Sequence, residues 1–541
     1  MKLFLTIYLI FVSISSFGQF NDFCWAVTKN GHSSYEIFTI DSIGNSYLLG
    51  RIFSNIDFDP TEKEFILTPQ GQSNSWYIQK LSPNGNLIWA HIINDSNNIS
   101  KVEDVKIDEE GFIFITGQGG ENLDVFVAKL DFQGEFVWSK SIGSNAPEES
   151  GSGINIDSDG SILVSGYFNK TMDFDPGPNS FILTPGYSIT SFLLKLDAEG
   201  NFVWAKKTLG SSGHKIRFDS ENNILMSSTF NDMLVINLSD TIYSSGYKDA
   251  FLQKFDINGD LIWWKTFGGS ADEYISDIHI DSLDNIFVIG NFQKLVDFDP
   301  GIGIYYTSDT IYSNKIFIEK LDAQGNFDWV KTISGQGGIA CRSVAMYKNK
   351  IYVTGGLNGS INFSTSTGNN IIVANDDNDG YLMTLDENGN FISVGTYGAE
   401  FNGSEPKIKC DKLGNSFLHS SYFKNLYFNT NQGIKYLGRD GYFFILKLGT
   451  STGSLAELFD FAVYPNPTNG IIYIEQKNKG ESSFTQNILD IKILDEMGKI
   501  VLQEISSLQK NTFDISNLAS GLYSIKIINS GVIYHFKLSK I

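Results

Sequence analysis

Residues 192–204 read Phe-Leu-Leu-Lys-Leu-Asp-Ala-Glu-Gly-Asn-Phe-Val-Trp: an apolar strand, a tight turn and a second apolar strand. Asp three residues before Gly suits the turn, because its carboxylate accepts backbone N–H bonds while Gly tolerates positive φ. The phrase recurs as Lys80-Leu81 with Gly85 and Trp89, and as Lys129-Leu130-Asp131 with Gly134 and Trp138. It returns as Lys254-Phe255-Asp256 with Gly259 and Trp263, and as Lys320-Leu321-Asp322 with Gly325 and Trp329. A sixth copy, Thr384-Leu385-Asp386 with Gly389, has Ser393 where Trp belongs. In all six, 8 residues separate the Leu or Phe from the Trp position. A Trp kept in register from copy to copy reads as core between neighbouring sheets.

A second phrase precedes each copy: an apolar strand ending in Asp, a turn with Gly or Asn, then an alternating strand. Ile107-Asp108 with Gly111, Ile156-Asp157 with Gly160 and Ile280-Asp281 with Asn285 are examples, and in the sixth copy Met346 stands for the Asp. Each unit therefore holds four short strands. The Lys-Leu positions Leu81, Leu130, Leu196, Phe255, Leu321, Leu385 and Leu448 lie 49 to 66 residues apart. Seven four-stranded units of this size predict an all-β chain built as a seven-bladed β-propeller over residues 19–448. The seventh copy lacks its Trp strand, but Asp22-Phe23-Cys24-Trp25-Ala26 resembles Asn201-Phe202-Val203-Trp204-Ala205. The N-terminal strand is expected to complete the last blade and remove the open sheet edges. The units resemble the bacterial SBBP β-propeller repeat, which implies a fold and no defined activity.

After a Gly/Ser/Thr-rich linker at 449–460, the pattern changes. Val463-Tyr464-Pro465-Asn466-Pro467, Asp495 with Gly498-Lys499, Gly521-Leu522-Tyr523 and the Lys-rich end Phe536–Ile541 punctuate about seven short alternating strands, as a small Ig-like β-sandwich requires. Residues 461–541 resemble the type A C-terminal sorting domain of the Bacteroidetes type IX secretion system. That resemblance implies the secretion machinery as a partner and a secreted or outer-surface location.

Met1–Gly18 reads as a signal peptide: Lys2 is the positive end, Leu3–Ile14 the apolar run, and Ser16 and Gly18 the small residues of a cleavage site that exposes Gln19. Cys24 follows Asn21-Asp22-Phe23, which is no lipobox, and no later stretch is long and apolar enough for a membrane span. Cys24, Cys341 and Cys410 are too few for a disulfide framework.

The formal net charge is −21, and residues 461–541 hold 8 Lys against 7 Asp and Glu, so the acidity belongs to the first 460 residues. Such a surface repels phosphate backbones and argues against nucleic acid as a partner. The recurrent Asp57-Phe58-Asp59-Pro60, Asp173-Phe174-Asp175-Pro176 and Asp297-Phe298-Asp299-Pro300 read as turn formers, with Ca²⁺ as the competing reading. Asn375, Asp377 and Asp379 imitate the first half of a calcium loop, yet Asp379 and Asp386 coincide with Asp249 and Asp256 of an ordinary repeat. The six His residues show no metal spacing. No catalytic residue and no cofactor is assigned. The chain reads as a binding, adhesion or structural module for protein or glycan. The alternative is a polysaccharide hydrolase or lyase with carboxylates from several blades meeting on one face.

Overall fold

The computed structural model describes residues 23–448 and 461–540, except segments 30–32, 60–63, 70–74, 94–98, 121, 145–148, 187–188, 211–214, 232, 236–240, 302, 307–313, 365–369, 375–378, 399–405, 422–425, 431–432, 439–442, 465–470, 477–488, 496–498, 507–509 and 530–531. Met1–Gly18 lies outside the described residues. The chain divides into two compact units, the larger holding Ser46–Cys410 and the smaller Thr450–Ile541. Among the described residues every regular element is a strand, and every strand pair within a sheet is antiparallel.

The larger unit is propeller-like. Its main sheets, numbered I–VII here, begin with the strands Ser33–Ile40, Lys101–Ile107, Ser150–Ile156, Ile216–Phe218, Tyr274–Ile280, Ile339–Tyr347 and Lys407–Cys410. Sheet II is representative: Lys101–Ile107, Ile113–Gly119, Asp124–Leu130 and Phe136–Ile142 pair in sequence order. The seven first strands touch one another in cyclic order, with Lys407–Cys410 closing on Ser33–Ile40. They therefore surround a common axis. Sheet VII takes its outermost strand from the start of the chain, Phe23–Lys29, whose Ala26, Val27 and Thr28 pair with Leu446, Ile445 and Phe444.

Both sequence phrases resolve into hairpin chemistry. Asp157 Oδ1 accepts the N–H groups of Asp159 (3.0 Å) and Ser161 (2.9 Å), and its Oδ2 lies 2.8 Å from Lys195 Nζ. Thus the Lys of one phrase pairs with the Asp of the other across two adjacent hairpins. In sheets I to V the Trp of the outer strand packs onto the turn Gly of the next sheet. A Cβ on Gly259, at φ +76, would lie 2.8 Å from Trp204 Cη2 and 2.9 Å from its Cζ3. Close approach and left-handed backbone both require Gly there.

Sheet VI corrects one assignment. Met346 pairs with Ile351 as Ile107 does with Ile113, so Met346 occupies the apolar position and Tyr347 the Asp position. The hairpin is one residue shorter, and the Tyr347 ring lies against Gly414 of sheet VII.

The Asp-Phe-Asp-Pro segments start short hairpins between the second and third strands. Asp173 Oδ1 accepts from Asp175 N (3.1 Å) and Phe181 N (2.8 Å), while Phe174 is fully buried edge-on against Phe168 and Phe192. The carboxylate shapes the turn and the ring plugs the core.

In the smaller unit, one sheet of Phe461–Tyr464, Ile471–Gln476 and Lys510–Asp514 accompanies another of Leu489–Leu494, Ile500–Ser506, Gly521–Asn529 and Val532–Lys540. Ile472 and Phe513 from the first share a core with Ile491, Ile493 and Ile525 from the second. Two sheets closing on one apolar layer make a small β-sandwich.

Candidate functional site

The first strands position the chemistry. In sheets I, II, III, V and VI the first strand carries a register shift, between Val102 and Asp104 in sheet II, Gly151 and Gly153 in III, Ile275 and Asp277 in V, and Cys341 and Ser343 in VI. Such bulges twist a strand and re-aim the residues beside them. Beyond the bulge the alternation is regular. Val105, Ile154, Ile216, Ile278, Val344 and Ile408 are buried between sheets. The residues flanking them face the other way, towards the axis and the following sheet.

These flanking residues form two layers, about 7 Å apart along the strands. By register, one layer is Ile37, Asp104, Gly153, Lys215, Asp277, Ser343 and Lys407. The other is Thr39, Lys106, Asn155, Arg217, His279, Ala345 and Lys409. Water reaches both layers although seven sheets enclose them: the side chains of Asp104, Lys106 and Arg217 are 29%, 20% and 19% exposed.

The first layer stitches neighbouring sheets together. Asp104 Oδ2 accepts from Ile154 N at 3.2 Å, and the Ser343 hydroxyl accepts from Ile408 N at 3.3 Å. Asp277 receives Arg217 Nη2 at 2.8 Å, Ser343 Oγ at 3.1 Å and Val344 N at 3.2 Å. One carboxylate thus joins sheets IV, V and VI. Burial works against its ionisation, but Arg217, Lys409, Lys215 and Lys407 hold it well below the usual carboxylate range.

The second layer has cations and no carboxylate. Burial, and then the charges of Lys106 and Arg217, bring the Lys409 ammonium down to about 7. Burial followed by Arg217 lowers His279 to about 4, so its imidazole is neutral at pH 7. Lys106 is also lowered, first by burial, and stands 4.0 Å from Asp104. Lys409 has no carboxylate in ion-pair contact among the described residues.

The residues singled out from sequence lie elsewhere. Asn375 and Asp377 are outside the described residues. Asp379 is buried and opens a third strand in the register of Asp124 and Asp249. Asp386 Oδ1 accepts from Asn388 N and Asn390 N, as a turn former does. Among the described residues no group of three or more His, Cys, Asp or Glu is placed to hold a metal ion. Cys341 and Cys410 are both thiols outside any disulfide. Sequence reading missed the axial layers. The available signal was the pair of positions two and four residues before each turn Asp, where Lys106, Arg217, His279 and Lys409 break an otherwise faithful repeat.

Residues 462–539 match the secretion system C-terminal sorting domain family. The chain therefore carries a type IX sorting domain, which marks it as a secreted or cell-surface protein that engages the type IX machinery. No helix among the described residues is long and apolar enough to cross a membrane. An uncharacterised WD repeat-containing protein of Acanthamoeba polyphaga mimivirus is 26% identical over 297 residues, covering 46% of this chain. The chain spans only 20% of that relative's length. Solved structures with similarity include a lignostilbene dioxygenase of Pseudomonas brassicacearum (TM-score 0.38, 10% identity, 79% of this chain and 93% of that one). A DUF4221-family protein of Bacteroides vulgatus gives 0.30, with 10% identity over 63% of this chain and 91% of its own. PorZ of Porphyromonas gingivalis, a surface component of the type IX system, gives 0.22 at 13% identity, over 95% and 75%.

Proposed function

We propose that this chain is a non-catalytic binding propeller, exported by the type IX system of a Bacteroidetes bacterium after removal of Met1–Gly18, and built from SBBP-type repeats. It presents its axial channel to an extracellular protein or glycan. One observation carries the reading: turns and Trp contacts repeat from sheet to sheet, whereas the axial positions vary between sheets and are largely polar or charged. Residues under selection for folding follow the repeat; residues that meet a ligand depart from it.

A polysaccharide-cleaving enzyme would need two carboxylates facing a common substrate. The two axial carboxylates, Asp104 and Asp277, are instead engaged with backbone N–H groups, with Ser343 and with Arg217. They serve as structural anions, and the reading assigns no cofactor to the chain.

The test is a screen of the purified protein against a glycan array and a polysaccharide panel, with binding and product release both recorded. Retention of a ligand without chain cleavage is the expected outcome. Turnover of any polysaccharide, abolished by a single Asp or Glu substitution, would replace this reading with the enzyme.

A further inference from the structure

We infer that the axial layer containing Lys106, Arg217 and Lys409 is a binding site for a compact oxyanion, such as a sulfate, phosphate or carboxylate group borne by a small ligand. The inference rests on the binding reading above and names the chemistry its channel would accept.

The three cations come from sheets II, IV and VII and converge on the axis, together with Asn155, neutral His279 and Thr39. The layer contains no carboxylate. Its nearest anions belong to the layer beneath: Asp104 lies 4.0 Å from Lys106, and Asp277 is already saturated by Arg217, Ser343 and backbone N–H groups, which leaves Lys409 without a close carboxylate among the described residues. Like charges gathered in a partly dehydrated channel raise one another's free energy, and each carries a desolvation cost besides. A chain with a formal charge of −21 has ample acidic residues with which to neutralise such a cluster. None is placed in this layer. An arriving oxyanion would supply the missing charge and accept from ammonium, guanidinium and amide donors at once. The acidic exterior, by contrast, disfavours a long polyanion and favours a group small enough to enter the channel alone.

The cluster makes binding pH-dependent with a defined sign. Lys409 faces Asp104 and Lys106 from sheet II, Lys215 and Arg217 from sheet IV, Asp277 and His279 from sheet V, and Lys407 on its own strand. Sheets I, III and VI contribute Thr39, Asn155, Ser343 and Ala345, which do not titrate; Glu103 and Arg342 lie at the bulges of sheets II and VI. An anion prefers the charged Lys409. Since that group stands at about 7 in the empty site, affinity falls as pH rises through neutrality.

The full-length protein is titrated with sodium sulfate, sodium phosphate and sodium glucuronate against sodium chloride at matched ionic strength, following heat release and melting temperature. The three salts separate sulfate, phosphate and carboxylate preference. Saturable binding by at least one is expected, stronger at about pH 6 than at about pH 9. The Lys106→Gln and Lys409→Gln variants should bind about tenfold to a hundredfold more weakly, the loss of one charge-assisted contact. Lys409→Gln should melt higher than the parent without the anion, because it relieves repulsion from Lys106 and Arg217, so its weakened binding cannot be ascribed to misfolding. No salt binding beyond chloride, or equal binding by the variants, would overturn the inference. A neutral glycan captured in the panel with unaltered affinity for both variants would overturn it while leaving the binding reading intact. Polysaccharide turnover would remove the binding reading but leave the salt titration to decide the anion site separately.

Discussion

The residue that best shows how this sequence tolerates no average substitution is the turn Gly. At Gly259 the backbone is left-handed and the space a Cβ needs is filled by the Trp204 ring. Gly134, Gly200, Gly325 and Gly389 stand in the same relation to Trp89, Trp138, Trp263 and Trp329. Two independent costs therefore fall on one methyl group. Gly259→Ala should destabilise the propeller by about 2–3 kcal/mol, combining positive-φ strain with displacement of a packed aromatic. Urea denaturation checks this. A loss below about 0.5 kcal/mol, the scatter of an ordinary surface change, would mean that the ring yields freely.

At the scale of the element, sheet VI explains why the repeat is imperfect where it is. Lys195 and Lys254 pair with Asp157 and Asp219 at 2.8 Å in sheets III and IV. In sheet VI both partners are gone, Thr384 for the Lys and Tyr347 for the Asp, so neither side is left with an unpaired buried charge. Ser393 replaces Trp for a related reason. The next sheet, VII, takes its outermost strand, Phe23–Lys29, from the start of the chain, so the Gly turn that joins the third and fourth strands elsewhere does not join them there. Ser393→Trp should therefore add no stability, whereas Trp204→Ser should cost about 3–5 kcal/mol by emptying a large contact. Thermal denaturation of both variants separates the cases; a higher melting temperature for Ser393→Trp would refute the explanation. Much of this element-level order was legible in the sequence because it is written in residues that must recur: Asp, Gly, Trp and Lys at fixed offsets. The identity of the closing strand was legible for the same reason. The axial layers were not, since aligning repeats averages away positions that vary between copies. Nor does the apolar pattern record the bulges that turn Asp104 and Asp277 towards their neighbours.

The whole molecule depends on one contact between distant parts of the chain. The axial layers exist as layers only if the seven first strands close into a cycle, and the sheet that completes the cycle is itself finished by residues more than 400 positions away, Phe23–Lys29 beside Phe443–Leu448. Closure keeps the cations of sheets II, IV and VII within one another's field. It also covers the backbone edge of Phe443–Leu448, which would otherwise invite pairing between molecules. The most direct measurement compares the protein lacking residues 1–18 with one lacking residues 1–29, by thermal denaturation and by size in solution. The closed arrangement predicts that the shorter protein melts roughly 10 °C lower, the equivalent of several kcal/mol in a unit of this size, and associates through the uncovered edge. Unchanged melting and an unchanged monomer would contradict it.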